Sequence, residues 1–224
     1  MKIWVHSYHD KKEIEKKIRE LGAKVSWWYP DFIICYGGDG TVLEAERSWP
    51  GVPKIPIKFS KICAGCKNYK LKDLDYIIPM LERGEYDIGE KDKVEAVIGN
   101  RKLVGLNEVQ VHNAEPFVAL RFSVSVGKKK IDCIGDGVVV STPYGSGAYY
   151  HSITRKSFSK GIYLAFNNTT VQKRPINITG KVKVKILREN ALLVADNRKA
   201  MIRLKPGDEI LIRKAKDRAK FVEI

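Results

Sequence analysis

Long apolar runs are missing from this 224-residue chain. No stretch approaches the ~18–20 residues that cross a bilayer, so no membrane span is expected. The start, Met1-Lys2-Ile3-Trp4-Val5, lacks the longer apolar stretch of a signal peptide, and a cytoplasmic protein is the expectation. Cysteine is scarce. Four cysteines, at 35, 63, 66 and 133, make no disulfide framework in a chain of this size. Cys63-Ala64-Gly65-Cys66 has metal or redox spacing, but no second pair and no nearby histidine complete a site, so loop thiols are expected there. The histidines, 6, 9, 112 and 151, are scattered, and no metal-ligand cluster is visible. Internal repeats, low-complexity segments, zinc fingers and aromatic-interleaved RNA motifs are all lacking.

Negative charge is also short. Lysine and arginine number 41 against 26 acids, a net charge of +15. A basic surface draws either nucleic acid or small anions. The positive charge is spread from Lys11 and Lys12 through Lys128 to Lys130 and on to Lys214, Lys216, Arg218 and Lys220. Without a recognition motif, nucleic acid is not an expected partner, and phosphate-rich small ligands suit the charge.

What is present divides into two halves. Residues 2–6 read as a strand and 11–21 as a helix, with Ile14, Ile18 and Leu21 on one face and Gly22 ending it. A buried strand covers about 31–36. Leu71, Leu74, Ile77, Ile78 and Leu81 mark a second amphipathic helix, closed by Gly84. From about residue 88 strands take over. Val94–Ile98, Gly99-Asn100 and Arg101–Val104 read as a hairpin. Val118, Leu120, Phe122, Val124 and Val126 alternate with polar residues, and short strand-like runs lie at 137–141, 161–166, 182–187, 191–195 and 209–213. The reading is an α/β domain over 1–87 and a β-rich domain over 88–224.

The strand at 31–36 runs into Gly37-Gly38-Asp39-Gly40-Thr41. Glycines permit positive φ and close approach to a ligand, and successive amides form an anion-binding concavity. A helix beginning near Val42 adds its positive end. An acid such as Asp39 among phosphate-cradling amides is unfavourable unless it holds a metal or accepts a proton; a plain strand-to-helix turn fits the same residues. In open α/β sheets, ligands bind just beyond the carboxyl ends of strands. Two further segments carry chemistry: Leu106-Asn107-Glu108-Val109, and Gly135-Asp136-Gly137 running to Ser141-Thr142-Pro143-Tyr144-Gly145-Ser146-Gly147-Ala148-Tyr149.

These three segments, in this order, resemble the NAD kinase family, with the resemblance running from about residue 31 to about 198. It implies a Rossmann-like α/β domain, then a β-sandwich-like domain, with the active site between them. It implies transfer of a phosphoryl group from ATP or polyphosphate to the 2′-hydroxyl of the adenosine ribose of NAD, giving NADP. Magnesium is expected to arrive with the nucleotide, and a homo-oligomer, dimer or tetramer, is expected. Asp39 is implied as the catalytic aspartate, with Gly37, Gly38, Gly40 and Thr41 around it. Asn107, Glu108, Asp136, Ser141, Thr142, Gly147, Ala148, Tyr149 and, by a looser alignment, Asn168 are implied to hold the dinucleotide. Arg174-Pro175-Ile176 resembles a family Arg-Pro-Ile, and Asp196-Asn197-Arg198 falls where the family often has Asp-Gly-Gln.

The chain departs from the family pattern at two places. Gly147 replaces a usual threonine, removing a hydroxyl. The family's glycine-rich segment after the first loop reads here Ile57-Lys58-Phe59-Ser60-Lys61, with lysines that could neutralise phosphates. Two other readings fit the residues: a related kinase acting on a lipid or sugar hydroxyl, and a dinucleotide-binding regulator without turnover. The intact Asp39 disfavours the second, the Asn-Glu and Ser-Thr-Pro runs the first.

Overall fold

The computed structural model describes residues 1–59 and 69–224; Lys61 and the Cys63–Cys66 pair lie outside the described residues. The chain forms two units, Met1–Lys91 with Arg218–Ile224, and Asp92–Asp217. The first unit runs β1 (Lys2–His6), α1 (Lys12–Glu20), β2 (Lys24–Val25), β3 (Phe32–Gly37), α2 (Asp39–Ser48), β4 (Lys54–Lys58), α3 (Leu74–Arg83) and β5 (Asp87–Lys91). The second holds β6 (Val94–Ile98), β7 (Arg101–Gly105), β8 (Glu108–Asn113), β9 (Leu120–Val126), β10 (Lys129–Gly135), β11 (Gly137–Ser141), α4 (Tyr149–Thr154) and β12 (Tyr163–Asn167). It continues through β13 (Ile176–Asn177), β14 (Lys181–Arg188), β15 (Ala191–Ala195), β16 (Ile202–Leu204) and β17 (Glu209–Lys214). The last strand, β18 (Ala219–Glu223), returns to the first unit.

The sheet of the first unit has the order β2-β1-β3-β4-β18-β5, parallel except for β5. Alternation sorts its side chains. Ile3 and Val5, Phe32, Ile34 and Tyr36, and Ile55 and Ile57 face Ile14 and Ile18 of α1 and Leu74, Ile77, Ile78 and Leu81 of α3 in one apolar cluster. Fully burying each such side chain is worth about 1.5–3 kcal/mol. The opposite face, with Trp4, His6 and Lys54, meets α2: Trp4 packs on Trp49 with ring centroids 6.1 Å apart, and Lys54 Nζ pairs with Glu46 and donates to the Trp49 carbonyl at 2.7 Å. Helices therefore cover both faces, which is what parallel strands buried on both sides require.

In the second unit, sheets β10-β9-β14-β17-β6-β7 and β13-β12-β11-β8-β15-β16 share one core. Alternate residues of each sheet enter it, including Phe122 and Val124 of β9, Val184 of β14, Val109 and Val111 of β8, and Val138 and Val140 of β11. The hairpin β6–β7 forms as expected, with Gly99 at φ 54° in its turn.

Three expectations change. The first helix after Gly38 begins at Asp39, not near Val42. The second unit does not run to the C-terminus, because β18 pairs with β4 and β5. The unit boundary falls after Lys91 instead of residue 87.

Candidate active site

In the first unit, β3 delivers the Gly-Gly-Asp-Gly-Thr run to its carboxyl end. Gly37 is the last residue of β3, Gly38 is the N-cap at φ −116°, and Asp39 opens α2. None of Gly37, Gly38 and Gly40 is among the described residues with positive φ, so the expected left-handed loop is not what the glycines supply. At Gly37 the requirement is space: an added Cβ would collide with the buried Thr41 side chain. Thr41 thus closes the first helical turn over the strand end. Asp39 sits in that turn, where the positive helix terminus favours a negative charge.

The neighbouring strand ends build walls around this turn. Lys58, the last residue of β4, is the register partner of Gly37. The Phe59 amide donates to the Gly37 carbonyl at 3.2 Å, and its ring lies 5.1 Å from Tyr36 and 4.1 Å from His9. His6, at the end of β1, lies 3.2 Å from Glu44 of α2. Burial holds the His6 imidazole below its usual value despite that carboxylate, while hydrogen bonds, first from Tyr8 and then from His6, hold Glu44 low. Sequence reading left His6 and His9 among scattered histidines; pairing between β1 and β3 brings His6 here.

The second unit gathers the remaining candidates on the face of the β13-β12-β11-β8-β15-β16 sheet that points away from its core. Asn107 and Glu108 form the turn from β7 into β8. The Asp196 carboxylate accepts the amides of Leu106 at 2.8 Å, Asn107 at 2.8 Å and Glu108 at 3.1 Å. Ser141, the register partner of Glu108, donates to the Asn107 carbonyl at 3.2 Å, and Thr142 Oγ1 donates to the Leu106 carbonyl at 2.6 Å. Both hydroxyl residues are fully buried. Their hydroxyls donate inward, to the backbone of this turn. Gly145 is required there, since a Cβ would strike the Asn107 backbone.

Glu108 is the unusual group. It is 5% exposed, and its Oε2 has no hydrogen-bond partner. Burial, and secondly the Asp196 charge, push its carboxyl up to about 8, against a weaker opposing contact from Gln110. The side chain is therefore a neutral acid at pH 7, able to donate one hydrogen bond and accept another.

Asp136 lies between β10 and β11 and accepts from Asn168 Nδ2 at 3.0 Å, so the looser alignment lands beside a better one. Tyr149 opens α4, and its hydroxyl accepts from Asn167 Nδ2 at 3.0 Å and lies 3.3 Å from His112 Nε2. Ala148 is its N-cap, and Gly147 is exposed with nothing within 4 Å of where a Cβ would stand, so the position has room for the missing threonine. His112 and Asn167 escaped sequence reading. Their signal was weak: both occupy the outward face of β8 and β12, opposite Gly137 in register. Arg174 and Pro175 line a cavity of about 540 Å³ with Lys156, Lys173, Phe166 and Asn168. Among the described residues, no three His, Cys, Asp or Glu side chains group as a metal site.

A family model, "ATP-NAD kinase C-terminal domain", matches residues 106–224. A curated relative, an NAD kinase of Sulfurisphaera tokodaii, is 30% identical over 178 residues, covering 76% of this chain and 70% of that protein. An NAD kinase from Archaeoglobus fulgidus, solved in complex with ATP, superposes with a TM-score of 0.81 over 98% of this chain and 92% of that one, at 19% identity. Yeast NADH kinase complexed with NADH gives a TM-score of 0.85 over 100% of this chain and 83% of that one, at 14% identity. These structures share the α/β plus sheet-rich fold. On the family model and the curated relative, this chain belongs to the NAD kinase family, the enzymes that phosphorylate NAD to NADP.

Proposed function

We propose that the chain uses ATP as donor and the adenosine ribose 2′-hydroxyl of NAD as acceptor, with Asp39 as the group that takes the hydroxyl proton. The observation that carries this is Asp39 in the first turn of α2, at the carboxyl end of a buried parallel strand. Phosphoryl transfer asks mainly for positioning and charge neutralisation, plus a group that orients or deprotonates the nucleophile. The ribose oxygen bonds to the γ-phosphorus, the bond from that phosphorus to the ADP oxygen breaks, and the proton passes to the Asp39 carboxylate. Gly37, Gly38, Gly40 and Thr41 shape the turn around the phosphates, and Lys58, the register partner of Gly37, meets one of them. Asn107, Glu108, Asp136, Ala148, Tyr149 and Asn168 hold the dinucleotide, while Ser141 and Thr142 position the Asn107–Glu108 turn. Gly147 leaves the adenine without a side-chain hydroxyl.

Magnesium enters with the donor, whose phosphates and water supply most of its ligands. Parallel strands alternating with helices support a Rossmann-like first unit, and two sheets on one core support a sandwich-like second unit. A cytoplasmic homo-oligomer, dimer or tetramer, completes the reading.

The test is turnover by the purified chain with NAD and magnesium, against ATP and polyphosphate in parallel. NADP is expected with ATP. Asp39→Asn is expected to cut kcat by about 10²–10⁴-fold, the usual worth of general-base help, while NAD affinity by calorimetry changes little. NAD binding without NADP from either donor would leave a regulator, and phosphorylation of a lipid or sugar in place of NAD would end the assignment. An Asp39→Asn variant with parental turnover would remove the base from this residue.

A further inference from the structure

The Tyr149 hydroxyl is fixed from two sides by residues that no comparison assigns to the reaction. Asn167 Nδ2 donates to it at 3.0 Å. His112 Nε2 lies 3.3 Å from it, and His112 Nδ1 lies 3.3 Å from the Asn113 carbonyl oxygen. A carbonyl only accepts, so the neutral imidazole carries its proton on Nδ1. Nε2 is then an acceptor with two donors in reach, Asn167 Nδ2 and the Tyr149 O–H, each 3.3 Å away; Asn167 lies nearer the Tyr149 oxygen, at 3.0 Å, so its proton goes there and the Tyr149 O–H points at Nε2. With one lone pair taken by Asn167 and its proton committed to His112, the hydroxyl has only an acceptor left for a ligand. This arrangement is held by pairing: β8 and β12 flank β11 and place His112 and Asn167 on either side of Gly137, a residue whose φ of 129° and close contact with the Val111 carbonyl exclude a side chain.

We infer that His112 and Asn167 are positioning residues that set the Tyr149 hydroxyl as a hydrogen-bond acceptor for a donor group of the dinucleotide, a ribose hydroxyl or a primary amide, and that protonation of His112 reverses that polarity. The inference rests on the proposed reading of Tyr149 as a dinucleotide contact. When His112 takes a second proton, Nε2–H becomes a donor toward the Tyr149 oxygen. The tyrosine proton must then turn outward, against the ligand's own donor. Histidine is the side chain whose charge ordinarily changes between about pH 5 and 8. Titratable groups near this face include Glu108 on β8 with Asp196 beside it, Asp136 just before β11, and Tyr149 itself. β15 contributes Leu192, opposite His112, and β12 contributes Asn167. Glu108 is pushed up to about 8 by burial, so it acts on the alkaline side of the range.

The test is NAD binding by calorimetry from pH 5.5 to 7.5, which does not depend on turnover, with thermal melting of every variant to confirm folding. The parent protein is expected to bind NAD roughly five- to tenfold more weakly at pH 5.5 than at 7.5, the scale of one hydrogen bond gained or opposed. His112→Gln keeps an acceptor toward Tyr149 but cannot be charged; it should flatten the profile and bind more tightly than His112→Phe. Tyr149→Phe should also be flat. A folded His112→Gln variant with the parent's slope would overturn the inference while leaving the kinase reading intact. A parent protein that binds no NAD at any pH would overturn both. The kinase reading fails by itself if NAD binds with the expected profile and no NADP forms.

Discussion

Glu108 shows how far one residue's chemistry can depart from its type. Its carboxyl is buried, one oxygen is unpartnered, and Asp196 sits close behind it. With the folded value raised to about 8 from 4.5, the native state keeps a proton that the unfolded chain gives up. The sign follows from linkage. Between about pH 4.5 and 8 the unfolded chain binds fewer protons at this site, so stability falls as pH rises, by about 1.4 kcal/mol per pH unit at most. Below 4.5 both states are protonated and the slope ends. Glu108→Gln, which is neutral throughout and nearly the same shape, should remove this slope. Urea unfolding at pH 5, 6.5 and 8 checks it: the variant should gain on the parent steadily across that series. An equal pH response in both proteins would mean that Glu108 is ionised in the fold. The pair Asn107-Glu108 was legible in the sequence as a motif, but not its protonation. That depends on Asp196, far along the chain and turned back by a left-handed φ of 48°.

Among the elements, β3 and α2 were the most readable, because an apolar run, two glycines and an acid mark a strand entering a helix. The hairpin β6–β7 was equally plain from Gly99-Asn100. The strand β4 was not. It reads Lys-Ile-Pro-Ile-Lys, and lysine and proline are rare in a central parallel strand. Lys54 is nevertheless fully buried, paired with Glu46 of α2 and donating to the Trp49 carbonyl at 2.7 Å. The contact ties the far end of α2 to the sheet, and so helps fix the turn that carries Asp39. Cys35, next to the pair and wholly buried, is pushed up to about 12 and stays an inert thiol. Removing one partner of a buried ion pair leaves an uncompensated charge and typically costs about 3–5 kcal/mol, whereas replacing both with apolar residues can be neutral. Lys54→Met should therefore lose about that much stability, and adding Glu46→Leu should restore most of it. Denaturant titration decides this: a single variant within about 1 kcal/mol of the parent would show that the pair carries little. Strand β10 was hidden by a different cause, since Lys128 to Lys130 read as a charge run, yet Lys129 and Lys130 begin an edge strand whose outer residues stay exposed.

At the scale of the whole molecule, the two units differ in how the chain closes them. The second is one continuous segment, Asp92–Asp217, with its own core. The first is split: its sheet is completed only when β18 inserts beside β4, with Phe221 opposite Lys54, and pairs along β5. The sequence concealed this because Ala219–Glu223 follows the strand-rich half without a break in composition, and the reading assigned it there by proximity. Ala219, Phe221 and Val222 are buried in the first unit, so its stability depends on a contact spanning most of the chain. Long-range closure is entropically costly and slow relative to local pairing, and chains of this size commonly fold unit by unit. On refolding from denaturant, amides of β9, β14 and β17 are expected to gain protection before those of β5 and β18, as read by pulsed hydrogen exchange. Because Asp39 belongs to the unit completed later, NADP formation should return with the slower phase. Phe221→Ala should retard that phase or reduce its amplitude and leave the protection of β14 unchanged. Protection of β18 in the same phase as β14, or activity regained before β18 is protected, would show that the first unit closes without waiting for its last strand.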